Sequence, residues 1–69
     1  MKKVTIYSTR ICPYCVRAKN FFDKKDIEYK EIMIDKDPSL ISEMIEKSGR
    51  QSVPQIFIDD YHVGGFDDL

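Results

Sequence analysis

The chain has 69 residues, enough for one small domain, and a domain of that size buries only about 60% of the surface its unfolded chain exposes. Its 11 basic and 12 acidic residues are interspersed and leave a net charge of −1, which argues against nucleic acid or an anionic membrane as partner. No apolar run is long enough to span a bilayer, and Met1-Lys2-Lys3 leads into a short alternating segment rather than the apolar stretch of a signal peptide, so a cytoplasmic protein is expected.

Val4–Ser8 alternates and predicts a strand. Pro13–Lys25 predicts a helix, with Ala18, Phe21, Phe22 and the stem of Lys25 on its inner face. Lys24-Lys25-Asp26 breaks that pattern. Ile27–Ile34 then reads as a second strand, with Ile32 and Ile34 on one face. The intervening helix makes these two strands parallel under the right-handed crossover rule. Asp37-Pro38 is a helix start, an acceptor side chain followed by a proline at the first helical position. Leu40, Ile41, Met44 and Ile45 form the apolar stripe of this second helix, and Gly49 stops it. Gln55–Ile58 is a third strand, Asp59-Asp60 a tight turn, and Tyr61–Gly64 a fourth strand pairing back as a hairpin. Gly64-Gly65 turns into Phe66-Asp67-Asp68-Leu69, which opens another helix. The order β-α-β-α-β-β, with a helix just begun, predicts an α/β fold with a four-stranded mixed sheet in one domain over residues 1–69.

The two cysteines of the chain stand three positions apart in Cys12-Pro13-Tyr14-Cys15, between the first strand and the first helix. A C-x-x-C in a βαβ setting points to a thiol–disulfide redox site. Pro13 lacks a backbone N–H but suits the first position of a helix, where that donor has no partner to find. Cys12 then becomes the N-cap. Its sulfur lies at the positive end of the helix dipole, among unpaired N–H groups that favour a thiolate, the nucleophilic form. Cys15 lies one turn on, on the same face, within reach of Cys12. A disulfide across so short a loop is worth only roughly 2 kcal/mol in the chain-entropy account. The pair therefore makes better sense as chemistry than as a staple.

Ile6-Tyr7, C-P-Y-C, Gly49, Ser52-Val53-Pro54, Ile56-Phe57-Ile58 and Gly64-Gly65-Phe66-Asp67-Asp68 together resemble the glutaredoxins, specifically the dithiol class of bacterial type, over essentially the whole chain. The resemblance implies the thioredoxin fold and a glutathione-dependent thiol–disulfide oxidoreductase acting on glutathione mixed disulfides and protein disulfides through Cys12 and Cys15. It implies no bound cofactor, glutathione as co-substrate, the glutathione reductase system as source of electrons, and a monomer. Disulfide-containing or glutathionylated proteins are the implied clients, ribonucleotide reductase being a usual one in this family. Val53-Pro54 matches a valine before a cis-proline, whose backbone would anchor the cysteinyl part of glutathione like an added strand. Gly64-Gly65-Phe66-Asp67-Asp68 matches the family's G-G-x-D-D, where cysteine is common at the position of Phe66. The backbone N–H groups of Phe66 and Asp67 would hold the γ-glutamyl carboxylate, and the Asp67 side chain its ammonium. The ring of Tyr14 would flank the bound glutathione. Family members continue for roughly another dozen residues, an ordinary helix length, so the last helix here is expected to be truncated or only begun, leaving one sheet face with exposed apolar residues.

Two departures bear on the groove. The family often has lysine three residues before the first cysteine, where this chain has Thr9, with Arg10 beside it as a substitute whose side chain should point elsewhere. The second helix often carries a polar residue for the glycyl carboxylate, and the matching position is Ile41. Arg10, Arg17 and Lys19 remain as sources of positive potential. His62 is expected to be an exposed hairpin residue without a role, and Met33 and Met44 to be core fillers. Three other readings compete. A dimer could pool two C-x-x-C pairs on zinc, or bridge an iron–sulfur cluster through Cys12 thiolates and glutathione as some glutaredoxins do, a cluster that Pro13 disfavours by stiffening the turn. The chain could be a glutaredoxin-like electron donor served by thioredoxin reductase. It could also be a binding module on the thioredoxin fold, which the intact cysteine pair argues against.

Overall fold

A computed structural model describes residues 3–65. Four strands form one sheet in the order β2-β1-β3-β4: β1 Val4–Ser8, β2 Tyr29–Met33, β3 Gln55–Ile58 and β4 Tyr61–Gly64. β1 runs parallel to β2 and antiparallel to β3, and β4 returns antiparallel on β3, so the sheet is mixed as expected. Helix α1, Pro13–Lys24, makes the β1–β2 crossover, and α2, Pro38–Ser48, leads to β3.

The period of two along β1 builds both layers. Val4 and Ile6 pack with Ala18 and Phe22 of α1 and with Ile56 of β3. Tyr7 points to the opposite face and packs with Ile34, Phe57 and Met44 of α2. A central strand buried on both faces carries apolar side chains in both directions, and Val4, Ile6 and Tyr7 are all buried. The Tyr7 hydroxyl donates to Glu43 Oε2 at 2.8 Å, which ties α2 to the sheet. Burial and this carboxylate push the Tyr7 phenol up to about 12.

The expected β2 is too long at both ends. The chain leaves α1 through Asp26 at φ 57°, with Asp26 N–H donating to Asp23 O and Ile27 N–H to Phe22 O. That paired bonding is a Schellman turn with aspartate where glycine is usual. It takes up Ile27 before the strand can begin, and Ile27 is exposed. At the other end Ile34 enters a short 3₁₀ turn, Ile34–Lys36, yet stays buried beside Ile32 as its place in the pattern requires. Of the expected α2 stripe, Met44 is fully buried but Ile41 is 39% exposed. Gly49 ends α2 at φ 72°, a left-handed backbone that glycine adopts at no steric cost.

The hairpin turn has Asp59 at φ 53° and is anchored to the start of β1, its N–H donating to Lys3 O at 2.7 Å while its Oδ1 accepts from Lys3 N–H at 2.8 Å. Ile56 pairs with Gly64 and Phe57 with His62, so Val63 is the extra residue of a β-bulge. On the α1 side of the sheet, Val4, Phe22, Ile27, Tyr29 and Ile58 line an open groove of about 880 Å³.

Candidate active site at the start of the first helix

Cys12 is the N-cap of α1, in extended backbone at φ −153°, with Pro13 at the first helical position. Its Sγ accepts the backbone N–H of Cys15 at 3.2 Å. The cysteine therefore satisfies one of the donors that a helix start leaves unpaired, and its sulfur is held where those donors point. Cys12 is partly exposed, Cys15 is buried, and both thiols are free. Loss of hydration pushes the Cys15 thiol up to about 12, with the neighbouring Cys12 adding to the effect.

Across from Cys12 lies the loop before β3. The Val53–Pro54 peptide bond is cis. The Cys12 thiol faces the Val53 carbonyl oxygen at 3.9 Å, a long S–H···O contact. Residues 41 apart in sequence thus meet at one point, brought there by the β1–β3 pairing that sets Tyr7 opposite Gln55. Gly64 takes φ 118°, and a Cβ on Gly65 would stand 3.4 Å from the Pro54 carbonyl oxygen, so the end of β4 packs closely on the same loop.

The other expected site residues divide by place. Tyr14 is 52% exposed on the first turn of α1, with the Arg17 guanidinium 5.4 Å from its ring centroid. Arg10 is exposed, and its backbone N–H donates to Asp35 Oδ2 at 3.1 Å, which holds the loop between β1 and Cys12. Phe66 and Asp67, expected to take the γ-glutamyl end, lie outside the described residues. Ile41 is an exposed apolar side chain on α2, at the position where the resemblance implies a polar group.

Two groups have more structure than the sequence suggested. His62 is not a free hairpin residue. Its ring stacks on Phe57 at 4.8 Å between centroids, and its Nε2 lies 2.8 Å from Gln55 Oε1. The Gln55 amide donates in turn to Ser52 O at 2.8 Å. Because that amide nitrogen already faces Ser52, its oxygen faces His62, and the imidazole Nε2 is the donor. This chain of bonds fixes the loop that carries Val53. No periodicity announces it, since Gln55 is a buried amide at the head of an apolar strand. The second group is Lys19, Glu31 and Ser8. Lys19 Nζ lies 2.7 Å from Glu31 Oε2, and the buried Ser8 hydroxyl donates to the same oxygen at 2.8 Å. The Lys19 ammonium holds the Glu31 carboxyl below its usual range. Among the described residues, no three His, Cys, Asp or Glu side chains cluster to hold a metal ion, and no helix is long and apolar enough to cross a membrane.

Comparison with known proteins fits this geometry. The glutaredoxin family model matches residues 4–63. The chain is 49% identical over 69 residues to Glutaredoxin 3 of Escherichia coli, covering all of this chain and 83% of that protein. It is 48% identical over 69 residues to a Pseudomonas aeruginosa glutaredoxin, covering 82% of it. Among solved structures, the buckwheat glutaredoxin–glutathione complex superposes with a TM-score of 0.88 at 28% identity, over 99% of this chain and 64% of that one. The mixed four-stranded sheet and its two helices are accordingly those of the thioredoxin fold, and the chain belongs to the glutaredoxin family of thiol–disulfide oxidoreductases.

Proposed function

We propose that this glutaredoxin reduces glutathione mixed disulfides and protein disulfides, with Cys12 as nucleophile and Cys15 as resolving thiol. The observation that carries the reading is the setting of Cys12. Its sulfur caps α1 on the Cys15 N–H at 3.2 Å and faces the cis-proline loop at Val53 O, 3.9 Å away. The Cys12 thiolate attacks the glutathionyl sulfur of a mixed disulfide. The Cys12–glutathione bond forms, the original S–S bond breaks, and the client leaves as a thiolate that takes up a proton. A second glutathione thiolate then attacks the glutathionyl sulfur, giving oxidised glutathione and restoring Cys12. With a protein disulfide, Cys15 attacks Cys12 Sγ instead, releases the client and leaves the Cys12–Cys15 bond for glutathione to reduce.

In this reading Val53 pairs its backbone with the cysteinyl part of glutathione, and Pro54 holds that backbone outward. Tyr14 flanks the ligand, Arg10 adds positive potential, and Gly64 and Gly65 let the γ-glutamyl end approach Phe66 and Asp67. The buckwheat relative's complex with glutathione supports a groove of this kind. The chain works as a single domain, a monomer with no resident cofactor, in the reducing cytoplasm, where a C-x-x-C serves catalysis better than structure. Its clients are glutathionylated or disulfide-bonded proteins, with ribonucleotide reductase among the candidates.

The exposed Ile41 gives weight to one other reading, electrons supplied by thioredoxin reductase without a working glutathione groove. NADPH consumption on a glutathionylated substrate separates the two. Turnover is expected with glutathione plus glutathione reductase and not with thioredoxin reductase alone. The reverse result would keep the Cys12 chemistry and discard the groove.

A further inference from the structure

The Cys12 mechanism leaves one demand unmet. Cys15 must attack as a thiolate, yet it is 1% exposed, in surroundings that disfavour a charge. The side chain placed to meet that demand is Lys19. It stands one turn beyond Cys15 on α1, at the i, i+4 spacing that sets two side chains on one helix face. It does not extend into solvent. Its side chain is 26% exposed and reaches across to β2, where Glu31 Oε2 receives it at 2.7 Å. The register that pairs Ile6 with Glu31 turns that carboxylate to the α1 side of the sheet, and the buried Ser8 hydroxyl locks it with a second bond at 2.8 Å. A lone surface ion pair would need no such anchoring. This one holds an ammonium on the helix face that carries Cys15, where its charge favours loss of the Cys15 proton.

We propose that Lys19, held by Glu31 and Ser8, is the positioning residue of the resolving step, where its ammonium sustains the Cys15 thiolate once Cys12 has entered a mixed disulfide. The inference rests on the roles proposed above for Cys12 and Cys15. The step balances as follows. Cys15 loses its proton to solvent, its sulfur attacks Cys12 Sγ, the Cys12–Cys15 bond forms, and the client sulfur leaves with the electron pair and is protonated. The charged and titratable groups that act on Cys15 are Cys12 and Lys19 of its own helix, and Lys19 in turn feels Glu31 and Tyr29 of β2. Burial and Cys12 hold the proton on Cys15, while the Thr9 backbone and, after it, Lys19 favour its loss. In a mixed disulfide Cys12 carries no charge and offers no thiol, so its opposition disappears and burial is left facing the Thr9 backbone and Lys19 together. Formation of the mixed disulfide thereby primes its own resolution.

An aromatic disulfide that releases coloured thionitrobenzoate tests this in two steps. The first release reports attack by Cys12, and the second reports resolution by Cys15. Lys19→Gln should leave the first release within about twofold, slow the second about tenfold at pH 7, and raise the pH midpoint of the second by about one unit, while the limiting rate at high pH stays unchanged. Lys19→Arg, which keeps the charge, should restore the midpoint. A second release that is unaffected in Lys19→Gln, or slowed equally at every pH, overturns the proposal, because a merely structural role would move the rate without moving the midpoint. If the wild-type chain gives no first release at all, the Cys12 reading fails and this inference falls with it.

Discussion

The two helices of this protein begin in the same way, and one of those beginnings carries the proposed chemistry. Cys12 and Asp37 are both N-caps in extended backbone, at φ −153° and −154°. Each precedes a proline at the first helical position, and each side chain accepts a backbone N–H from its own first turn, Cys12 from Cys15 at 3.2 Å and Asp37 from Ser39 at 2.9 Å. Local physics treats the two alike: an acceptor meets orphan donors, and proline starts the helix where no donor is missed. The difference lies in what faces the cap. Cys12 looks across the sheet to the cis-proline loop, 3.9 Å from Val53 O, with a buried second thiol one turn behind it. Asp37 is exposed. A helix start is thus a common device. The site proposed for redox chemistry is that device carrying sulfur, set against the cis-proline loop and backed by a second, buried thiol.

The strongest way to break the comparison is to exchange the caps. Cys12→Ser should reduce turnover on every disulfide to background, since no other described group can take the nucleophile's place. Placing a thiol at the second helix, as Asp37→Cys in the Cys12→Ser background, should leave the protein inactive in the coupled glutathione assay. Restored turnover would mean that a capped helix start is sufficient and the Val53 loop incidental. Cys15→Ser should split the activities, keeping reduction of glutathione mixed disulfides and losing reduction of protein disulfides. Equal loss of both would remove the resolving role from Cys15.

A smaller expected effect concerns how α2 is held. Met44 is fully buried against Tyr7, Ile34 and Phe57, so Met44→Ala should cost about 2–5 kcal/mol of stability, read from the denaturant midpoint. The Cys12 site is built on α1, β1 and the loop before β3, so the remaining folded fraction should release the first thionitrobenzoate at the wild-type rate. A slowed first release, normalised to folded protein, would show that α2 also shapes the Cys12 site.

Both helix starts were legible in the sequence, because capping is local: the Cys-Pro and Asp-Pro pairs state it within two residues. The strands β1, β3 and β4 were legible for the same reason, through alternation and turn residues. The ends of β2 were not. Asp26 takes a left-handed conformation without the glycine that usually signals it, and Ile27 carries the apolar side chain of a strand while serving a helix end. In the site, Cys12, Pro13 and Cys15 stand in one motif, whereas the nearness of Val53 came from family resemblance and not from any pattern in the loop. The bonds from His62 through Gln55 to Ser52, and from Lys19 through Glu31 to Ser8, were beyond reach. Each joins residues whose meeting depends on strand register, and register is a property of the folded sheet.

The finest distinction between the two starts is charge. The Asp37 carboxyl titrates, and its bonds with Ser39 hold it below the ordinary 3.8. A carboxyl depressed in the folded chain adds stability above its unfolded value and loses that contribution as the pH falls through the folded one. The cap of α2 should therefore weaken in acid below pH 3.8, while the sulfur cap of α1 has no carboxylate to protonate there. Asp37→Asn keeps an acceptor of nearly equal capping strength but no charge. Its urea midpoint should lie slightly below that of the wild type at pH 6, through loss of the favourable charge at a helix N-terminus, and the gap should close as both are taken to strong acid. A gap that persists unchanged in strong acid would mean that the Asn side chain fails as a hydrogen-bond acceptor, and that at Asp37 geometry rather than charge separates aspartate from its amide.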